Sequence, residues 1–276
     1  MRFSIITPSY RNSTWLRLCI ASVADQEVAV EHIVQDAESD DGTLDWLPQD
    51  SRVRPFVEKD AGMYDAINRG IRRATGDVLA WLNCDEQYLP GALRAVGEYF
   101  EQHPDVDVVF GDAVMVDAAG EYLFHRKVLV PQLYHTWICH LAVPSCATFF
   151  RRRLLDAEGT IFDPSFRVIG DADWILRLIQ HRVRMGAMRR FMAAFTIAGT
   201  NLSLNPRAQE EHRWLVARAP RWAARLRPWW VAHHRLRRLV GGIYSQEPFS
   251  FALYTQQSPA RRLERRVERP TFRWRW

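Results

Sequence analysis

Four short stretches of this sequence place polar, chemistry-bearing residues directly after an apolar run. Thr7-Pro8-Ser9-Tyr10-Arg11 follows Phe3–Ile6, and Asp36-Ala37-Glu38-Ser39-Asp40-Asp41-Gly42-Thr43 follows His32–Gln35. Glu58-Lys59-Asp60-Ala61-Gly62 follows Val53–Val57, and Asn83-Cys84-Asp85-Glu86 follows Val78–Leu82. Carboxylates gathered in this way repel a phosphorylated ligand unless a cation intervenes. Asp85 and Glu86 supply the hard oxygen atoms that Mg²⁺ or Mn²⁺ prefers. The chain has neither a GxxxxGK[ST] loop nor a GxGxxG turn, so those two routes to a backbone phosphate cradle are closed. A divalent ion held by carboxylates and bridging a diphosphate is the economical arrangement that remains.

Each stretch also has a plainer use. Asp40-Asp41-Gly42, taken alone, is better read as a cap for a helix starting near Thr43. Asp85-Glu86 would serve equally as a solvated turn, and Asn68 as an exposed helix residue. Their common position favours chemistry. Phe3–Thr7, His32–Gln35, Val53–Val57, Val78–Leu82 and Val106–Phe110 are short, β-rich and mostly apolar, as buried strands are. Between them Leu16, Cys19, Ile20 and Val23 have helical spacing, as do Ala66, Ile67, Gly70 and Ile71, and Leu93, Val96 and Phe100. This alternation predicts an α/β fold, a Rossmann-like, mostly parallel sheet flanked by helices, with ligands bound beyond the carboxyl ends of its strands. After Gly111 the pattern loosens. A hairpin over Ala113–Val116 and Tyr122–Val128, a strand at Ala147–Phe150 and a helix over Asp171–His181 are expected.

From Pro206 onward arginine and tryptophan dominate, with helices expected around Ala208–Arg218 and Trp229–Leu239. The chain therefore divides into residues 1–205 and a mostly helical, basic extension of residues 206–276. Such an extension suits an anionic membrane surface, or else a face that packs on the first domain or forms a homodimer contact. No nucleic-acid module accompanies it, so nucleic acid is not an expected partner. Cys19, Cys84, Cys139 and Cys146 lack CxxC spacing, which argues against structural zinc and against a secreted disulfide framework. With a strand beginning at Phe3 no signal peptide is expected. No apolar run approaches the roughly 18 residues of a membrane span. The expected location is the cytoplasm, peripherally on the inner face of the cell membrane.

The motifs together resemble family-2 glycosyltransferases of the GT-A fold, of the kind that build bacterial surface polysaccharides. The resemblance rests on Ser4–Tyr10, Glu31–Asp36, Ser39-Asp40-Asp41-Gly42-Thr43, Asp60–Gly70, Ala74-Thr75-Gly76-Asp77 and Leu82–Glu86, in order. It implies that Thr7, Pro8 and Tyr10 line a nucleoside pocket, that Asp36 contacts the base and that Asp60 and its turn close over the donor. Asn83-Cys84-Asp85-Glu86 takes the DxD-type position, with Asp85 and Glu86 toward the metal and Asn83 and Asp85 toward the diphosphate. Asn83 and Glu86 replace aspartates common there. Gly170-Asp171-Ala172-Asp173-Trp174 resembles the catalytic carboxylate motif, which makes Asp171 the general base and Asp173 its support. Apart from the resemblance, Asp171 reads as a helix N-cap. Pro144-Ser145-Cys146-Ala147 stands where relatives often carry an acceptor-side histidine.

The implied reaction moves a sugar from a nucleotide diphosphate donor, UDP-linked as first choice, to a hydroxyl of a saccharide or lipid-linked saccharide. A diphosphate leaves without needing a second carboxyl acid, in contrast to glycoside hydrolysis. One base is then enough, and attack opposite the leaving group inverts the anomeric centre. The competing readings are a sugar nucleotidyltransferase, whose basic Gly-rich loop is missing here, and a non-catalytic sugar-nucleotide-binding protein, which Asn83 and Glu86 keep in play.

Overall fold

The computed structural model describes residues 1–156, 162–197 and 206–272. Strands β1 (Phe3–Ser9), β2 (Val30–Asp36), β3 (Arg54–Val57) and β4 (Val78–Trp81) pair in parallel in the order β3-β2-β1-β4. Helices α1 (Ser13–Ala24) and α2 (Met63–Arg73) lie between them in the chain, and α3 (Ala92–Gln102) follows β4. Successive side chains of a strand point to opposite faces, and β1 shows the consequence. Phe3 and Ile5 pack with Cys19 and Val23 of α1 and with Leu93 and Val96 of α3. Ile6, on the opposite face, packs with Ile67 and Ile71 of α2. Burial on both faces is why these strands read as near-continuous apolar runs.

The sheet continues through β5 (Glu86–Tyr88), β6 (Val108–Val116), β7 (Tyr122–Arg126), β8 (Thr148–Arg151) and β9 (Met185–Thr196). β8 lies antiparallel between β4 and β6, β9 runs parallel to β6 and antiparallel to β5, and β7 forms the expected hairpin on β6. One expectation is corrected: the separate strands expected at Val106–Phe110 and Ala113–Val116 are a single strand. β6 runs through Gly111 as nine buried residues, and its polar Asp112 is accommodated by Oδ1 accepting the Val128 N–H at 2.8 Å. The expected helix near Asp171 is α5 (Gly170–Gln180), whose Trp174 and Leu178 join the Ile6 core.

Helix α4 (Leu133–Ile138) precedes β8, and the extension holds α6 (Pro206–Ala217), α7 (Arg221–Arg225) and α8 (Arg227–Val240). A hairpin of β10 (Phe249–Thr255) and β11 (Ser258–Val267) follows, which the helical expectation did not include. The extension packs on the sheet domain. Trp137 donates to the Leu215 carbonyl at 2.8 Å, Gln87 exchanges two hydrogen bonds with the Tyr254 backbone, and Arg262 reaches Asp25 and the Tyr88 carbonyl. The expected boundary near residue 205 lies outside the described residues. Among those described, no helix is long and apolar enough to cross a membrane.

Candidate active site

Beyond the carboxyl ends of β1, β2, β3 and β4 lies a cavity of about 1020 Å³, floored by those strand ends and walled by α4, α5 and α6. Pro8, Tyr10, Asp60, Asn83, Asp85, Glu86 and Asp171 all line it. The segments that carry them are far apart in sequence, and parallel pairing brings their ends to one edge. The turn at Asp60 is set locally: Asp60 Oδ1 accepts the Gly62 N–H at 2.7 Å and Asp65 Oδ2 accepts the Ala61 N–H at 2.9 Å. Gly62 itself sits at φ 119°, where a Cβ would also meet the Arg167 guanidinium at 2.7 Å.

Asp171 stands in the first turn of α5, so it is not that helix's N-cap, a position held by Ile169. Its Oδ1 accepts the Ala172 N–H at 2.9 Å and lies 3.3 Å from the Tyr64 hydroxyl, which in turn accepts the Asp171 N–H at 3.2 Å. Tyr64 Oη also lies 2.9 Å from the Val168 carbonyl. Burial pushes the Asp171 carboxyl up to about 6, with the Ala172 N–H and Tyr64 opposing the rise. Gly170 permits this approach, because a Cβ there would sit 2.8 Å from the Tyr64 ring. A carboxylate with that affinity can accept a proton near neutral pH.

The segment is anchored from the extension. Glu211 on α6 is fully buried, and its carboxylate accepts the N–H groups of Arg167, Val168 and Ile169 at 2.8, 2.9 and 3.1 Å, with Arg207 at 3.0 Å. Burial alone would raise its carboxyl; the backbone N–H bonds and Arg207 outweigh it and hold it below the usual range. A negative charge here also faces the N-terminus of α5, where it is favourable.

The cavity lining just after β4 is acidic. Asp85 is raised by burial, and Glu86 is pushed up to about 8 by burial, then by Asp85, with Asp171 adding to the rise. Glu86 Oε2 accepts the Asn83 N–H at 2.8 Å, whereas Glu86 Oε1 and Asn83 Oδ1 are buried without a hydrogen-bond partner. Buried acceptors left unmatched are costly, and a cation beside Asp85 would satisfy both. No group of three or more His, Cys, Asp and Glu side chains able to enclose a metal is found among the described residues. The set therefore fits Mg²⁺ or Mn²⁺ held by one or two carboxylates together with ligand phosphates rather than a cage built only of protein.

Three expected site residues lie elsewhere. Thr7 does not line the cavity: its side chain is fully buried and its Oγ1 bonds to His32 Nε2 at 2.9 Å, because that position of β1 points inward. Asp36 does not line it either. Its oxygens accept from Ser9 Oγ, Ser39 N and Ser39 Oγ at 2.7–2.8 Å, bracing the loop whose Ser9 and Ala37 form the wall. Asp173 turns away to pair with Arg177 and Arg218. Asp41 caps the short turn at Thr43 and the start of α1. Asn68 is buried rather than exposed, clamping the Phe162 backbone by two hydrogen bonds. Residues not anticipated at the cavity include Tyr64, His140 and His212. Tyr64 could have been found from its place in the Asp60–Gly70 motif, but no local signal marks either histidine.

Comparison with known proteins agrees with this architecture. A family model described as Glycosyl transferase family 2 matches residues 4–169. A Mycobacterium tuberculosis protein named PGL/p-HBAD biosynthesis glycosyltransferase is 32% identical over 186 residues, 63% of this chain and 68% of its own. Bacillus subtilis TuaG, named for teichuronic acid biosynthesis, is 25% identical over 222 residues, 78% of this chain and 86% of its own. Staphylococcus aureus TarS 1–349 in complex with UDP-GlcNAc superposes with a TM-score of 0.62 at 16% identity, covering 87% of this chain and 73% of that one. Against the longer TarS chain, this one spans 44% of the length, with a TM-score of 0.61 at 17% identity. The mannosyltransferase PcManGT from Pyrobaculum calidifontis, in complex with GDP-Man and Mn²⁺, gives 0.54 at 16% identity over 87% and 79% of the two chains. These structural likenesses speak to the fold.

Proposed function

This chain belongs to glycosyl transferase family 2, and from that premise we propose that it transfers a sugar from a nucleoside diphosphate sugar to a hydroxyl acceptor with inversion, in surface polysaccharide or glycolipid synthesis. The observation that carries the reading is Asp171, a half-buried carboxylate raised to about 6 that lines one cavity with Asp60, Asp85 and Glu86. Asp171 accepts the acceptor hydroxyl's proton as that oxygen attacks the anomeric carbon from the face opposite the diphosphate. Tyr64 and the Ala172 N–H orient the carboxylate. Asp85, with the unmatched oxygens of Glu86 and Asn83, would hold a divalent cation, Mn²⁺ or Mg²⁺. Bound there, such an ion would neutralise the charge that the diphosphate gains on leaving. Tyr10 offers an exposed ring face at the rim for the base.

A uridine donor is the first choice, supported by the UDP-GlcNAc complex of TarS and opposed by the GDP-Man complex of PcManGT. A lipid-linked saccharide is the proposed acceptor, supported by relatives named for PGL/p-HBAD and teichuronic acid biosynthesis. Thermal-shift measurements against a panel of nucleotide sugars, each with and without Mn²⁺, test the donor half. One donor should raise the melting temperature in a metal-dependent way. No shift with any sugar nucleotide would remove the reading.

A further inference from the structure

Helix α8 is amphipathic in the reverse of the usual sense. Its inward side carries the polar residues: His234 and Arg238 are buried, and the His234 ring stacks on His135 of α4 with centroids 3.7 Å apart. Its outward side carries the apolar ones. Trp229, Leu236, Leu239 and Val240 are 60, 58, 64 and 82% exposed, and Leu226 just before the helix is 46% exposed. Spacings of three, four and seven residues put them on one stripe, which Trp222 of α7, 50% exposed, extends. A helix that packs on a protein core turns such a stripe inward. A contiguous apolar surface left in water marks a contact site.

The surroundings of the stripe identify what it contacts. Residues 212–246 contain eight arginines and no aspartate, glutamate or lysine, and Arg221 and Arg225 are exposed beside Leu226. A second copy docking isologously would bring this same acid-free surface against itself and be repelled. We propose that the outer face of α7 and α8 docks on an anionic phospholipid bilayer, with tryptophan and leucine side chains at the headgroup boundary and arginines against lipid phosphates. The same packing links this face to the cavity. α4, stacked on α8 through His135, contributes Thr136 to the cavity wall, and His140 follows two residues after the helix ends. The docking surface thus deepens the acceptor half of the proposed function and rests on that half alone.

Flotation of the full chain with vesicles tests it. The chain should float with phosphatidylcholine–phosphatidylglycerol vesicles and at least about tenfold less with phosphatidylcholine alone or in high salt. The triple variant Trp229→Ser/Leu236→Ser/Leu239→Ser should lose about tenfold or more of that partitioning. Its substituted side chains are exposed, so its melting temperature in the absence of lipid should stay that of the unsubstituted chain. Arg221→Gln/Arg225→Gln should weaken flotation and flatten its salt dependence. Equal flotation of the triple variant, or none by the parent chain, overturns the proposal. So does a concentration-dependent dimer that the triple variant abolishes without any vesicle binding. Donor hydrolysis with Mn²⁺ is read separately: a chain that floats but consumes no donor keeps this surface and loses the proposed activity.

Discussion

Asp171 combines a half-buried position, a carboxyl raised to about 6 and a place on the cavity wall. Asp171→Asn should lower the transfer rate by roughly 10²–10⁴-fold while the donor-induced thermal shift persists; retained turnover would reassign the base. In the parent chain the rate should rise with pH through about 6 and then level, since the base works only when deprotonated. A profile flat from pH 5 to 8 would argue against Asp171. In the lining just after β4, Asp85→Asn should abolish the Mn²⁺-dependent part of the donor shift, measured with and without the ion. These residues were legible from sequence because each sits in a motif whose order along the chain is distinctive. Thr7 and Asp36 were assigned to the correct neighbourhood but the opposite side of the wall. A strand exposes alternate residues, and one position decides whether a side chain meets ligand or core.

Two contacts between elements carry consequences that no single segment announces. Glu211 on α6 takes three backbone N–H groups just ahead of α5. Glu211→Gln keeps the shape but loses the charge and one acceptor. It should cost about 1–3 kcal/mol of stability and lower kcat more than it weakens donor binding, as calorimetry and steady-state kinetics would show. The second contact is the histidine stack joining α4 to α8. Burial holds His135 at about 2, His234 at about 3 and His140 at about 4, against an ordinary 6.5, with Arg238 lowering all three further. Between those values and 6.5 the unfolded chain binds protons that the folded chain refuses, so stability falls as the pH drops. The melting temperature should therefore decline from pH 7 to pH 5, and His234→Leu should make the decline shallower. A parent chain equally stable across that range would show that the stack is not linked to protons. Helical spacing foretold α6 and α8, but the partners of their inward faces depend on chain more than 40 residues away. The hairpin of β10 and β11 was not anticipated, although Phe251, Leu253 and Thr255 alternate as the buried face of a strand does.

At the scale of the whole molecule, the extension packs on the sheet domain and reaches the site. Glu211 braces the Asp171 segment, Leu215 receives Trp137, and the terminal hairpin clamps α1 and β5 through Arg262 and Gln87. Removal of residues 206–276 should accordingly abolish cooperative thermal unfolding and donor binding together, whereas a truncated chain with an unchanged donor shift would show two independent units. By itself, the sequence determined the alternating α/β order, the edge at which the polar clusters gather, and the family, because periodicity and motif order are local properties of the chain. The tertiary structure alone decided which carboxylates face the cavity, that Tyr64 and Glu211 set Asp171, and that α8 turns its apolar stripe to solvent. Those outcomes depend on which surfaces meet across long stretches of chain, and burial, the common cause of the raised carboxyls and the silent histidines, exists only once they have met.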